Sequence, residues 1–325
     1  MTDRRSFLHT LGTALGATAL GVACPGSAAV GCTTAGRASG GPTTSGPGTA
    51  SESAVTSPAV VPSPEPAAIG LQLYTVRDEM RRSIADTLAR VARTGYREVE
   101  FAGYFNTSPA QIRTLLDENG LRAPAAHMSL ETLETGWGAS VQAAHTVGHT
   151  TLVVPWLAPA RRRTLDDWRR LATTLNTLGD RARRDGLRIG YHNHDFEFTP
   201  LDGSVPFDVL LAETDPALVT MELDVYWTVK SDANPVRYLT DHRGRFTMLH
   251  LKDSAGPPAH AMRDVGAGTI DFAALIARGR AAGVRHLFVE HDAPPDPFAS
   301  IEASFAHLSR LGANAARFPS AKDVP

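Results

Sequence analysis

From Ala68 onward, short apolar runs alternate with stretches whose apolar positions recur at helical spacing. Ile69 to Tyr74 reads as a strand. Ile84, Leu88, Val91 and Ala92 then mark one face of a helix over 84–94, which Gly95 stops. The alternation predicts further strands over 98–101, 123–128, 151–156, 188–192, 219–226, 246–251 and 286–290. Helices are predicted between them over 109–118, 139–147, 165–184, 206–212, 235–239 and 272–282, with another over 297–311. The clearest is 165–184, where Leu165, Trp168, Leu171, Leu175 and Leu178 share a face and Asp185-Gly186 ends the run. Eight strand–helix pairs over 67–316 predict an α/β protein, a (β/α)8 TIM barrel with its active site at the C-terminal ends of the strands. A doubly wound open sheet competes. No Gly-x-Gly-x-x-Gly follows the first strand, which removes the commonest reason to prefer it.

The texture before Ala68 is different. Asp3-Arg4-Arg5-Ser6-Phe7-Leu8 precedes a short glycine-rich apolar run, Leu11 to Val22. That reads as a twin-arginine-type export signal over residues 1–32, placing the protein in the periplasm or at the cell surface. Small residues precede Cys24 and Cys32, so a lipid anchor is an open alternative to simple cleavage. Residues 33–66 are rich in Ser, Thr, Pro and Gly, and no aromatic occurs between Phe7 and Tyr74. Such a segment buries too little surface to offset its ordering entropy and is expected to be a disordered linker. Residues 317–325 form a short C-terminal tail.

Charge and cysteine narrow the chemistry. With 32 Lys+Arg against 34 Asp+Glu, the chain has no basic excess for nucleic acid. No apolar run is long enough to span a bilayer. The barrel region has no cysteine, so any metal there must be held by His, Asp and Glu.

Titratable residues interrupt the apolar runs at the same relative place in four successive strands. The fifth runs into His192-Asn193-His194, the sixth ends Glu222-Leu223-Asp224, the seventh ends His250-Leu251-Lys252 and the eighth ends Val289-Glu290. Residues two apart on a strand share a face, so His192 with His194, Glu222 with Asp224, and His250 with Lys252 point the same way. Taken singly, Asp224 reads as a helix cap, His192 as a wall residue and Glu290 as an arginine partner. Together they read as an N/O ligand set of Asp224, His250 and Glu290 with His192, suited to one divalent ion (Mn, Co, Zn, Fe or Mg).

These pieces carry a resemblance. Gly70-Leu71-Gln72-Leu73-Tyr74-Thr75-Val76-Arg77, Ala126-His127-Met128-Ser129, Tyr191-His192-Asn193-His194, Leu223-Asp224-Val225-Tyr226-Trp227, His250-Leu251-Lys252-Asp253 and Val289-Glu290 resemble the xylose isomerase-like sugar phosphate isomerase/epimerase family. The resemblance spans the whole barrel. It implies metal ligands Glu, Asp, His and Glu from strands five to eight, of which the last three fall on Asp224, His250 and Glu290. The first departs, because His192 stands where relatives often have Glu. Either His192 replaces that carboxylate as ligand, or the ion keeps three protein ligands and His192 is free to act as base.

The resemblance implies an isomerase or epimerase that moves an α proton of a sugar or keto-sugar through an enediolate. Glu290, His192 and His194 are then the candidate bases, and Lys252 a candidate for stabilising the developing oxyanion. His127, Glu100, Tyr74 and Trp227 are the expected substrate contacts. The alternatives are a metal-dependent lyase or hydrolase that cleaves a 3-keto-glycoside, and a catalytically silent sugar-binding barrel. Arg161-Arg162-Arg163 reads as a solvated face rather than a phosphate clamp, and Gly266-Ala267-Gly268 as a tight turn.

Overall fold

A computed structural model describes residues 68–315. The export segment 1–32, the linker 33–66 and the tail 317–325 lie outside the described residues. The described chain forms a closed barrel of eight parallel strands. They are β1 Ile69–Gln72, β2 Glu98–Ala102, β3 Arg122–His127, β4 Thr151–Val154, β5 Arg188–His192, β6 Val219–Asp224, β7 Phe246–Leu251 and β8 His286–Val289. Each pairs with its sequence neighbours, and β1 closes the ring against β8 with Gly70 opposite Phe288. The expected (β/α)8 barrel is therefore the fold. Among the described residues no helix is long and apolar enough to cross a membrane.

The helices form where the apolar spacing places them. Helix Ile84–Thr94 starts at Ser83, whose side chain accepts from Asp86 N, and ends at Gly95 with φ +121°. Helix Leu165–Arg184 opens with a Thr164/Asp167 capping box and buries Trp168, Leu171, Leu175 and Leu178. Several strands stop earlier than the hydrophobic pattern predicts, β4 at Val154 among them, and for two of them a side-chain cap is the reason. β1 ends at Gln72 because its side chain accepts from Tyr74 N and caps a 3₁₀ turn, Leu73–Val76. β6 ends at Asp224 because that side chain caps a short helix, Val225–Lys230, which an apolar run disguises as strand. Helix Leu130–Thr135 is a further addition to the predicted elements.

Strand alternation builds two cores. Outward residues such as Leu71, Val99, Leu152, Leu223, Leu249 and Val289 pack in the large buried cluster that includes the helices. Inward, Ala125, Val153, Met248 and Phe288 form a small separate cluster inside the barrel. Gly70 is required there, since a Cβ on it would lie 2.6 Å from the Phe288 ring. This apolar plug is a floor. Two residues further along their strands, toward the C-terminal ends, come Gln72, His127, His250 and Glu290.

Candidate metal centre and active site

The polar layer above the floor is buried and crowded. Glu100, Glu222, Asp224, His250 and Lys252 are all fully buried, and His192 and Glu290 nearly so. Two groups of side chains there offer atoms close enough together to hold a metal ion. One is Asp224, His250 and Glu290; the other is His127, His192, Glu222 and His250. The donors are imidazole nitrogens and carboxylate oxygens, a set that fits a divalent ion of the hard-to-borderline class.

The two groups lie on opposite edges of the His250 ring. On one edge, Nδ1 is 2.8 Å from Glu290 Oε2. On the other, Nε2 is 2.7 Å from Glu100 Oε2 and 3.1 Å from Glu222 Oε2. His192 is oriented similarly. Its Nδ1 is 3.1 Å from Glu222 Oε2, while its Nε2 makes no hydrogen bond and lies 3.8 Å from Asp224 Oδ2. His127 Nε2 completes the deep layer at 2.8 Å from Glu222 Oε2 and 3.3 Å from Glu100 Oε2. Gln72 Nε2 donates to Glu100 at 2.8 Å.

Toward the opening, Lys252 Nζ sits among three carboxylates: Asp224 at 2.9 Å, Glu290 at 2.8 Å and Asp292 at 2.9 Å. Asp224 divides its oxygens. Oδ1 accepts from Trp227 N at 3.1 Å as a helix cap, and Oδ2 faces Lys252. Asn193 braces it, accepting from Asp224 N at 3.0 Å and donating to the Asp224 carbonyl at 3.3 Å. The helix-cap reading of Asp224 describes one of its oxygens, and the other faces the buried cluster.

Burial and mutual charge move these groups in opposite directions. Burial and the neighbouring Glu222 push the Glu100 carboxyl up. Burial would raise Glu222 too, but charge on His250 and hydrogen bonds from His127, His192 and His250 hold it well below the carboxylate range. Against its own burial, His250 is held well above the usual imidazole value by Glu222, Glu100 and Glu290. Burial and nearby His250 hold His192 well below it. Burial raises Asp224, with Lys252 opposing.

The remaining expected residues line the surroundings of this cluster or the turns beside it. Glu100 is fully buried, with its Oε2 2.7 Å from His250 Nε2. His194 stacks on Phe196 (5.5 Å between centroids), beside Trp227 at 5.4 Å and His192 at 4.9 Å. The Trp227 ring lies 5.7 Å from Lys252 Nζ. Tyr74 stands on the turn after β1 with the Arg77 guanidinium 4.2 Å from its ring centre. The Gly266-Ala267-Gly268 amides are taken internally, with Gly266 N and Gly268 N donating to Asp253 Oδ2 at 2.9 Å. Arg161 pairs with Glu134 at 2.8 Å, and Arg162 lies over Phe196 at 3.4 Å.

Glu222, Gln72, Asp292 and Glu197 also belong to this region. Strand parity with Asp224 is the sequence signal for Glu222, and a strand-end amide the signal for Gln72. Nothing local marks Glu197, which is fully buried. It accepts from Tyr191 OH at 2.7 Å and from His194 N at 2.8 Å, and burial pushes its carboxyl up to about 8.

Comparison with known proteins fits this geometry. An inosose dehydratase of Lacticaseibacillus casei is 27% identical over 179 residues, which cover 49% of this chain and 59% of that enzyme, less than two thirds of its length. A sugar phosphate isomerase/epimerase structure from Parabacteroides distasonis is 25% identical with a TM-score of 0.66, covering 76% of this chain and 96% of that one. The structure of the IolI protein, solved with a zinc atom bound, shares the fold at 14% identity and a TM-score of 0.61, covering 75% of this chain and 97% of that one. The family profile described as xylose isomerase-like TIM barrel matches residues 88–311, and with that match across most of the barrel the chain belongs to this family.

Proposed function

We propose that this barrel is a divalent-metal-dependent isomerase or epimerase that removes a proton next to the carbonyl of a sugar or keto-sugar. One observation carries the reading. His192, Asp224, His250 and Glu290 converge from four successive strands in a buried, sulfur-free site, with Lys252 among them. His192 Nε2, Asp224 Oδ2, His250 Nδ1 and a Glu290 oxygen would hold one ion. A bound divalent ion supplies Lewis-acid polarisation of adjacent carbonyl and hydroxyl oxygens.

The chain's own groups account for the rest. With His192 Nε2 committed as a ligand, the base is Glu290, with His194 as the nearby alternative. Lys252 places positive charge where an enediolate oxygen develops. His127 and Trp227 border the space a sugar ring would take. Three carboxylates already surround Lys252 within 2.9 Å, so an uncharged sugar or glycoside suits the opening better than a phosphorylated one.

The test is incubation of metal-loaded protein with sugar and 3-keto-sugar panels in D₂O. Deuterium uptake at the α carbon with an epimer or isomer as product supports the reading. An ion bound with no exchange on any panel member leaves a sugar-binding barrel instead.

A lyase is the second reading, favoured by the dehydratase name of the curated relative. It shares the proton removal and then expels a group β to the carbonyl, as in cleavage of a 3-keto-glycoside. A released leaving group would select it. We also infer export, supported by Arg4-Arg5 and the short apolar run after them. Replacing both arginines by lysine should then retain the protein in the cytoplasm, and unchanged export would remove that inference.

A further inference from the structure

Glu222 Oε2 is the meeting point of three imidazoles: His127 Nε2 at 2.8 Å, His192 Nδ1 at 3.1 Å and His250 Nε2 at 3.1 Å. We propose that Glu222 is a positioning residue that fixes the tautomer of His192, holding the proton on Nδ1 so that the bare Nε2 faces Asp224. One carboxylate oxygen shared by three ring nitrogens can serve all of them only as an acceptor. A ring nitrogen 3.1 Å from it must therefore carry a proton, or two lone pairs would face each other. Nδ1 has this acceptor within reach, whereas the carboxylate oxygen that Nε2 faces is 3.8 Å away, so the ring proton belongs on Nδ1. The other nitrogen, Nε2, is buried without a hydrogen-bond partner. An orphaned acceptor of this kind is costly in a packed interior, and it is aimed at Asp224 Oδ2, 3.8 Å away.

The backbone makes this arrangement rigid. His192 and Glu222 are register partners on adjacent strands β5 and β6, and Asp224 lies one repeat further along β6. One strand thus carries both the carboxylate that sets the ring and the carboxylate that shares the cation. The tautomer follows from the metal-free geometry. Its effect on metal affinity rests on the ligand set proposed above.

The experiment uses the full chain labelled with ¹⁵N-histidine. In metal-free protein, the ring-nitrogen shifts of His192 should report Nδ1–H and a bare Nε2. In Glu222→Gln the neutral amide is a weaker acceptor and can donate to Nδ1. The His192 proton should then redistribute to Nε2, and Co²⁺ affinity, measured by chelator competition, should fall about 10–100-fold. The control is Glu98→Gln, which alters a similar carboxylate–imidazole pair with His286 (2.8 Å) at the opposite end of the barrel. It should change neither readout. A His192 protonated on Nε2 in the unmutated protein overturns the proposal, as does Co²⁺ affinity unchanged in Glu222→Gln. If the unmutated protein binds no Co²⁺ but His192 carries its proton on Nδ1, positioning by Glu222 stands and the metal-dependent function falls.

Discussion

Lys252 Nζ lies 2.9 Å from Asp224 Oδ2, and both side chains are fully buried. The same ammonium reaches Glu290 and Asp292, so one lysine is shared by three carboxylates at the barrel mouth. A divalent ion would use Asp224 and Glu290 as well. Ammonium and ion therefore share oxygens, and removing the lysine should make the fold depend on the ion. Lys252→Met should lower stability by about 3–5 kcal/mol without metal, the usual result of leaving buried charges unpaired. Added Mn²⁺ or Zn²⁺ should then raise its melting temperature more than that of the unmutated protein. Equal shifts in the two proteins would show that the ion does not use these carboxylates.

Asp224 permits its two roles to be separated. Asn is as good a helix N-cap as Asp but carries no charge. Asp224→Asn should keep the cap on Trp227 N and lose the ion, with Lys252 still paired to Glu290 and Asp292. Asp224→Ala should lose the ion and about a further 1 kcal/mol through the missing cap. Paired denaturation curves and elemental analysis check both parts; full metal occupancy in Asp224→Asn would remove Asp224 from the ligand set.

The base assignment is tested by Glu290→Gln. Loss of a general base typically slows a reaction by about 10²–10⁴. The variant should exchange the substrate α proton at least about a hundredfold more slowly while retaining some metal. If Glu290→Gln exchanges at the unmutated rate and His194→Gln does not, the base is His194.

Glu197 sets a pH dependence of stability. Its carboxyl is held at about 8 in the folded protein, against 4.5 ordinarily, by burial. Below about 4.5 both folded and unfolded chains keep this proton and the group is neutral in the balance. Between about 4.5 and 8 the unfolded chain releases the proton and the folded chain keeps it. Stability should fall with rising pH by up to about 1.4 kcal/mol per pH unit, and level off above 8. Glu197→Gln, uncharged throughout, should remove that slope, because its amide can donate to Tyr191 OH and accept from His194 N. Urea denaturation of both proteins at several pH values from 5 to 8.5 measures the difference. Parallel stability–pH curves would mean that Glu197 ionises normally.

Much of this protein is legible from its sequence because its strands and helices follow local rules. Apolar residues at period 2 or 3.6, with Gly95 and Asp185-Gly186 as stops, place the helices 84–94 and 165–184 to the residue. Strand parity likewise puts His192, Asp224, His250 and Glu290 on the inner face at one end of the barrel. Tertiary structure decided what parity leaves open. Val225–Lys230 is as apolar as the strand before it, and it turns into helix because the Asp224 side chain takes up Trp227 N. Glu100 faces inward like any residue of its parity, but only the closed barrel brings its Oε2 to 2.7 Å from His250 Nε2. The orientation of each imidazole is likewise set by groups from other strands, Glu222 for His192 and Glu100 with Glu290 for His250. Periodicity fixes which face a side chain occupies. Which of its atoms points at which neighbour depends on contacts between residues far apart in the chain, and those exist only once the barrel has closed.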